Sequence, residues 1–317
     1  MRRGFPVAIH LITFVGFVFA AVPAAGRLDG LAVESAPWLA LSFGCMIAQF
    51  GLLVVGWLFL LARFDAPRTW PFAPGVQAYV IGWLARYIPG PPIGTVGKYV
   101  MCRRNGVAGT AVAGALVYEL LAHIGGGLVL LAVLAPFSVR GPEVIWATPV
   151  AGSILVGAMS LGVPAGLARV ASLPGRAGSL VPLRRASHGV MLVELGCQVG
   201  SALCAALAFH FTAMATTPLS MDDAALTLFA FALAGYVGFI VPFVPSGAGV
   251  REGILIAFLA PELGGVNALS LAVVARALSV VFDAGLAAFA LCAYAGLPRR
   301  PSAIRFRAPW MAAKSRA

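Results

Sequence analysis

The fold is decided by two stretches of sequence, RYIPGPPIGTVGKYV at residues 86–100 and FIVPFVPSGAGVREGILI at residues 239–256. Each stretch breaks an apolar segment with closely spaced Pro and Gly residues, and each carries charge where a lipid-buried helix should carry none. In a membrane, irregular backbone is tolerated only where protein or a water-filled cavity covers it. Two such breaks in corresponding halves of one chain are typical of a transporter and point to its binding site.

The composition is that of a membrane protein. Of the 317 residues, 61% are hydrophobic and 10% are charged, whereas a soluble globular domain carries about 25% charged residues. The apolar runs that could span a bilayer, at roughly 20 residues each, are 5–25, 37–61, 107–135, 144–163, 190–215 and 266–293. Two further segments, 76–101 and 225–260, are apolar but broken. We therefore expect an all-α polytopic membrane protein with about six transmembrane helices and two broken-helix hairpins.

The net charge of +11 is distributed in a way that indicates membrane topology rather than a nucleic-acid partner. Most of the 22 Lys and Arg residues fall at one face, while only Arg27 and Arg140 fall at the other. Short cytoplasmic loops carry such an excess of positive residues. We expect a protein of the cell (plasma or inner) membrane with both termini in the cytoplasm. Residues 1–298 would form a single flippase-like transmembrane domain, and residues 299–317 a basic cytoplasmic tail.

The same charge pattern predicts that both broken segments are re-entrant hairpins. Segment 76–101 has basic loops on both sides, and its first arm is too short to cross a bilayer at about 1.5 Å rise per residue. Segment 225–260 follows Asp222 and Asp223, which we place outside, so it begins and ends there; its longer first arm leaves a full crossing open. With the helices before and after each hairpin, the two halves form an inverted-topology repeat.

The second arm of each hairpin begins just after the Pro/Gly break. We expect an anion-binding site at the starts of these two arms. A helix start offers unpaired N–H groups and a partial positive charge, so two such ends near the bilayer middle form a cradle for phosphate. Arg86 and Lys98 flank the first end, and Arg251 lies in the second. In the alternative interpretation, the breaks only kink helices and the cations reach to the interface. The glycines at these ends are Gly90, Gly94, Gly97, Gly247 and Gly249.

Acidic residues at membrane depth are few, and such residues are functional hypotheses by default. Glu119 shares a helix face with His123. Arg276 and Asp283 are two turns apart on one face and could form an ion pair, serving either as a link between helices or as a gate. We expect Glu119, Glu252 and Asp283 to act as counter-charges, gates or proton acceptors.

The sequence shows no apparatus for catalysis. The spacing of Glu119 and His123 recurs at Glu194 and Gln198, but no Ser/His/Asp or metal-ligand grouping appears. The five cysteines have no CxxC spacing, so neither a metal site nor structural disulfides are expected. We therefore expect no enzyme activity, no metal and no cofactor.

The two broken segments resemble the lysylphosphatidylglycerol synthase transmembrane-region family of flippase-like integral membrane proteins. The family pattern Arg-Tyr-hydrophobic-Pro-Gly, followed by Gly and a basic residue, is matched by Arg86, Tyr87, Pro89, Gly90, Gly97 and Lys98. A run like RREGV is matched by Arg103, Arg104, Gly106 and Val107, with Asn105 in place of the usual acidic residue. The pattern P-x-G-x-G-x-R-E is matched by Pro245, Gly247, Gly249, Arg251 and Glu252. The acidic residue of the helix after the first hairpin is matched by Glu119.

This resemblance implies movement of an anionic or modified phospholipid or glycolipid between leaflets. Family members that aminoacylate phosphatidylglycerol resemble fusions with a large soluble domain, and this chain ends shortly after its last predicted span, so we expect no synthase activity. One alternative is a non-transporting subunit that scaffolds a lipid-modifying or glycosyl-transferring enzyme. Another is an embedded enzyme that uses Glu119 and His123 as acid and base. The expected partners are membrane lipids, with a lipid-modifying enzyme or further copies of the chain as candidates.

Overall fold

The structure, a computed structural model, shows an all-α protein, as the sequence predicted. The predicted span 5–25, nearly all of the predicted span 144–163, Gly90 and the tail 299–317 lie outside the described residues. The structure describes residues 35–64, 72–87, 93–138, 187–240 and 249–295, together with the isolated positions 158, 162, 165, 166, 169 and 247.

The α-helices of the described ranges form two sets of four, each with a long helix, two short helices and another long helix. The first set is α1 (Ala36–Arg63), α2 (Phe72–Leu84), α3 (Ile93–Arg104) and α4 (Gly109–Ser138), with 28, 13, 12 and 30 residues. The second set is α5 (His188–Thr216), α6 (Ala224–Ile240), α7 (Val250–Leu263) and α8 (Gly265–Ala295), with 29, 17, 14 and 31 residues. The two sets correspond to the two predicted repeats.

Five segments in the described ranges are long and apolar enough to cross a membrane. Four of them lie in the long helices α1, α4, α5 and α8, where the sequence predicted spans. The fifth, Met221–Phe239, contains most of α6 and belongs to the broken segment whose crossing the sequence left open. The helices of the first broken segment, α2 and α3, are shorter.

The first helices of the two repeats, α1 and α5, lie against each other in opposite directions. In the first half of α1, Ser42 Oγ donates a 2.8 Å hydrogen bond to the carbonyl oxygen of Ala208, in the second half of α5. In the second half of α1, a Cβ atom added to Gly56 would lie 2.6 Å from Glu194 Oε2, in the first half of α5. Equivalent helices therefore run antiparallel, as an inverted-topology repeat requires.

In each repeat the two short helices pack together as a hairpin on a pair of glycines, here called the glycine seam. In the first hairpin, a Cβ atom added to Gly82 of α2 would lie 3.1 Å from the carbonyl oxygen of Gly94 on α3. In the second, a Cβ atom added to Gly247, just before α7, would lie 2.8 Å from Gly238 Cα on α6. Glycines allow two backbones to approach this closely, so any side chain in a seam would push the two arms apart.

Each hairpin continues into its long helix through a tight turn at an equivalent glycine. Gly106, between α3 and α4, has φ +90°, and Gly264, between α7 and α8, has φ +77°. L-residues with a side chain rarely adopt this conformation. Because both turns are short, each long helix lies beside the second arm of its own hairpin.

Each repeat has its own hydrophobic core, and α5 contributes to both. Met191 of α5 packs in the first cluster with Trp57 and Tyr118, and Phe209 of α5 packs in the second with Leu259. The antiparallel contact of α1 and α5 therefore joins two separately packed bundles into one body.

The first glycine seam generates a prediction about stability. Exchanging Gly for Ala within a helix normally favours the helix by about 0.5–1 kcal/mol. Gly94→Ala should nevertheless destabilise the protein, since the added methyl group meets the Gly82 backbone and overpacking costs about 1–3 kcal/mol. Thermal unfolding of the purified protein in detergent measures this effect.

Gly97→Ala, on the same helix, is the matched control, because its added Cβ would lie 3.7 Å from the Ile81 side chain, an ordinary contact. We expect this variant to unfold at or above the temperature of the unchanged protein. Equal unfolding temperatures for Gly94→Ala and Gly97→Ala would contradict the close backbone contact.

Candidate functional site

Lys98 crosses the glycine seam of the first hairpin. A Cβ atom added to Gly82 would lie 2.6 Å from Lys98 Cγ, so the stem of the lysine lies directly on the bare backbone of α2. Its Nζ donates a 2.5 Å hydrogen bond to Glu119 Oε1 of α4 and lies 3.8 Å from the centroid of the Tyr79 ring. The side chains of Lys98 and Glu119 are only 11% and 14% exposed. A carboxylate and an aromatic face thus compensate the buried ammonium group.

Arg251 occupies the equivalent position in the second hairpin. It follows Gly247 by four positions, which is also the spacing between Gly94 and Lys98. The sequence identified Lys98 and Arg251 as candidate anion ligands, but it did not show that they are related by the repeat.

The surroundings of Arg251 repeat those of Lys98. A Cβ atom added to Gly238 would lie 2.6 Å from Arg251 Cγ, and the guanidinium carbon lies 5.2 Å from the centroid of the Phe231 ring. Each repeat therefore carries one cation whose stem crosses a glycine seam and whose head lies over an aromatic ring of the first arm.

Arg86 connects the two repeats. It lies in the 3-10 turn Ala85–Tyr87 at the end of the first arm and forms an ion pair with Asp283 of α8. Trp83 Nε1 donates a 2.8 Å hydrogen bond to Asp283 Oδ1, and the Arg86 guanidinium carbon lies 4.1 Å from the Trp83 ring centroid. The Asp283 side chain is only 4% exposed. The sequence offered Arg276 as an ion-pair partner for Asp283 from their spacing on one helix face; the structure also places Arg86, from the other repeat, against Asp283, a partner that helical spacing could not indicate.

A chain of hydrogen bonds lies beside the Lys98–Glu119 pair, between α4 and α5. His123 Nδ1 lies 3.1 Å from Gln198 Oε1, and Gln198 Nε2 donates a 2.9 Å hydrogen bond to Glu194 Oε1. Glu194 is completely buried. The structure thus brings together two helix faces that the sequence identified separately by their spacing.

Gly126 and Gly127 of α4 allow close approach of neighbouring helices. Tyr236 of α6 fills the space above Gly127, whose backbone N–H donates a 2.9 Å hydrogen bond to the Tyr236 hydroxyl. That hydroxyl in turn donates to the His123 carbonyl oxygen. Tyr236 therefore fixes the second hairpin to α4 near the buried polar chain, a role that the sequence did not reveal.

The remaining predicted residues have different surroundings. The Glu252 carboxylate accepts a 2.6 Å hydrogen bond from the Gly249 backbone N–H, so it caps the start of α7, where it is half-buried. Arg276 lies on α8 and is half-buried. In the described part of the chain, no three His, Cys, Asp or Glu side chains are grouped so that they could hold a metal ion.

Comparison with known proteins assigns this architecture to a family. The family described as lysylphosphatidylglycerol synthase TM region matches residues 7–287, a range that includes both hairpins and all of the two repeats except the last eight residues of α8. The chain belongs to this family. It is an integral membrane protein of the lysylphosphatidylglycerol synthase TM region family, which confirms the resemblance based on the two broken segments. No curated protein matches the chain.

The ion pair between the repeats generates a second prediction. Asp283→Asn should destabilise the protein, because it removes the charge of a buried carboxylate that pairs with the partly exposed Arg86; the cost should stay below the value of about 3–5 kcal/mol for breaking a fully buried ion pair. The double charge exchange Arg86→Asp/Asp283→Arg should recover part of that loss. Thermal unfolding of the purified variants measures both effects.

Asp222→Asn is the control, since Asp222 is exposed in the turn before α6 and its loss should leave the unfolding temperature unchanged. If Asp283→Asn unfolds at the same temperature as Asp222→Asn, the ion pair does not hold the repeats together.

Proposed function

We propose that this protein moves an anionic or modified phospholipid or glycolipid between the leaflets of the cell membrane, with both termini in the cytoplasm and without chemical change to the lipid. The proposal rests mainly on one observation: two glycine seams at equivalent positions of an inverted repeat are each crossed by a cation. Inverted repeats with broken helices that meet near the bilayer midplane are a common architecture among secondary transporters.

The chemistry of the two hairpins suits a phosphate group. Lys98 lies in the second turn of α3, and Arg251 lies in the first turn of α7. The starts of both helices add unpaired N–H groups and partial positive charge to these two cations. Arg86, at the tip of the first hairpin, supplies a third cation. Each of these cations can make the charge-assisted hydrogen bonds that recognise a phosphodiester.

The acidic partners explain how such cations are tolerated when no headgroup is bound. An isolated charge at membrane depth is costly, and Glu119 and Asp283 neutralise Lys98 and Arg86. A lipid phosphate would replace these carboxylates as the partner of the cations. Binding is therefore an exchange of one ion pair for another, which costs less than exposing a bare charge to lipid.

The position of the Arg86–Asp283 pair suggests how binding leads to movement. This pair joins the tip of the first hairpin to the last helix of the second repeat. A phosphate that takes Arg86 away from Asp283 would release that connection, so the bound state would favour a different arrangement of the two repeats. Ligands shift such equilibria only through this kind of difference in contacts between the two states.

Two contacts support the proposal of a transporter over the embedded enzyme that the sequence left open. Glu119 is held by Lys98 and His123 by Gln198, so each would have to leave its partner before it could act as an acid or a base. A protein that only scaffolds a partner enzyme would have no need of buried cations held on glycine seams at the ends of broken helices.

The anion site predicts that charge matters more than side-chain volume at Arg251. Arg251→Gln should weaken binding of phosphatidylglycerol, because loss of a buried, hydrogen-bonded charge contact costs about 2–5 kcal/mol, or roughly 30-fold or more in affinity. Arg251→Lys should retain part of the affinity. Native mass spectrometry of the purified protein with added lipid measures the bound fraction.

Arg104→Gln is the control, because Arg104 is an exposed cation at the end of α3 and its loss should leave lipid binding unchanged. If Arg251→Gln binds phosphatidylglycerol as the unchanged protein does while keeping its fold, Arg251 is a structural residue and the anion site is wrong.

A further prediction separates transport from chemistry. In proteoliposomes, Glu119→Gln should slow the movement of labelled phosphatidylglycerol between leaflets, because Lys98 loses its counter-charge. Neither the variant nor the unchanged protein should convert the lipid into a new species, as judged by mass spectrometry of the extracted lipids. A lipid product that forms with the unchanged protein and disappears in Glu119→Gln would establish an enzyme instead. Lipid movement no faster than in empty liposomes would support the scaffold alternative.

A further inference from the structure

We propose that Glu119 and Glu194 form a paired proton site, which takes up one further proton when an anionic headgroup draws Lys98 away from Glu119. The inference rests on the proposed function and deepens it, because it names the ion that is loaded together with the lipid. Three features of the described residues support it: the burial of Glu194, the balance of charges around it, and its position beside the Lys98–Glu119 pair.

Glu194 has the surroundings of a neutral acid. Its side chain is 0% exposed, and Oε1 accepts the hydrogen bond from Gln198. Its Oε2 has no hydrogen-bond partner among the described residues and lies close to Gly56, which contributes no side chain. A charged carboxylate that is removed from water without a cation opposite it is very costly. A proton on Oε2 removes that charge.

Glu194 and the charged groups around it comprise two carboxyl groups and a single ammonium group. Electrostatic interactions link Glu194 to Glu119 and to Lys98. The ammonium group of Lys98 pairs with Glu119, since its Nζ lies 2.5 Å from Glu119 Oε1. One proton shared by the carboxyl pair therefore makes the cluster neutral, and Glu194 is the carboxyl group that the geometry leaves to hold it.

The other titratable groups near this pair do not change the balance of charge. From the elements packed around Glu194 they are Tyr79 of α2, Cys197 of α5, Tyr236 of α6 and His123 of α4, all side chains that are uncharged in their ordinary form near neutral pH. His123 Nδ1 donates to Gln198 Oε1, because the other end of that amide donates to Glu194. An uncharged imidazole satisfies this arrangement.

Anion binding changes the number of protons that the cluster needs. When a lipid phosphate pairs with Lys98, Glu119 loses its cation while the total charge of the cluster falls by one. A second proton, taken from water, restores neutrality, so that both carboxyl groups are then protonated. The phosphate–ammonium pair carries no net charge, and the headgroup and the proton are loaded together.

The thermodynamic linkage between headgroup binding and proton binding determines whether the affinity for lipid rises or falls with pH. Because headgroup binding promotes proton uptake, protonation promotes headgroup binding to the same extent. The affinity for an anionic lipid should therefore rise as pH falls, by up to about tenfold per pH unit where one proton is taken up. A cycle that exposes the loaded site to each side in turn would carry the proton with the lipid.

The test is proton uptake on lipid binding. Phosphatidylglycerol is added to the purified full-length protein in weakly buffered detergent, while a pH indicator records protons and native mass spectrometry records bound lipid. We expect the unchanged protein to take up about one proton per bound phosphatidylglycerol, as single-proton linkage requires, and none with zwitterionic phosphatidylcholine. The double variant Glu119→Gln/Glu194→Gln should take up none, while Asp222→Asn should match the unchanged protein.

Infrared spectroscopy of the lipid-free protein provides a readout that does not depend on transport or on lipid binding. A carbonyl band of a buried, protonated carboxylic acid should be present in the unchanged protein, absent in Glu194→Gln and present in Glu194→Asp.

Phosphatidylglycerol binding without proton uptake would overturn the proton site and leave the proposed function intact. Failure of the unchanged protein to bind phosphatidylglycerol would overturn both. Absence of this carbonyl band would contradict the claim that Glu194 is protonated in the lipid-free protein.

Discussion

The contact of bare backbone at the two glycine seams is the constraint on which the other features of the site depend. Gly82 and Gly94 let α2 and α3 touch, and the stem of Lys98 can then lie flat across the seam with its charge directed inward. The second hairpin repeats this arrangement with Gly238 and Arg251. A side chain at either seam would separate the arms and displace the cation. The close packing of the hairpin helices and the positions of the buried cations therefore depend on the same glycines.

Buried charge connects the hairpins to the rest of the molecule. Lys98 is neutralised within its own repeat by Glu119, whereas Arg86 is neutralised across the repeats by Asp283. The first pair sets the local charge, and the second holds the two repeats in one arrangement. Both pairs contain a cation that a lipid phosphate could capture, so the interactions that stabilise the empty protein are the ones that a headgroup would exchange. The same exchange changes the proton requirement of Glu119 and Glu194.

The sequence predicted the helices, both breaks and the principal cations, because these features follow from local properties: apolar length, Pro and Gly spacing, and charge at membrane depth. The contact of Arg86 with Asp283 and the role of Tyr236 were missed, because they depend on how helices more than 100 positions apart rotate against each other. Gly82 and Gly238 were also missed, although each precedes a break by a short distance. Gly82 precedes Lys98 by 16 positions and Gly238 precedes Arg251 by 13, so no common spacing from the cations marks these glycines in the sequence.

The central claim is that an anionic headgroup binds between the two hairpins. Photolabelling tests it most directly, with the protein in nanodiscs that contain phosphatidylglycerol carrying a photoreactive headgroup, followed by mass spectrometry of the labelled peptides. The account predicts label at residues 79–98 and 247–252, competed by unlabelled phosphatidylglycerol and not by phosphatidylcholine. Label confined to outward-facing positions such as Phe137 and Phe289, which are 74% and 67% exposed, with no competition, would contradict it.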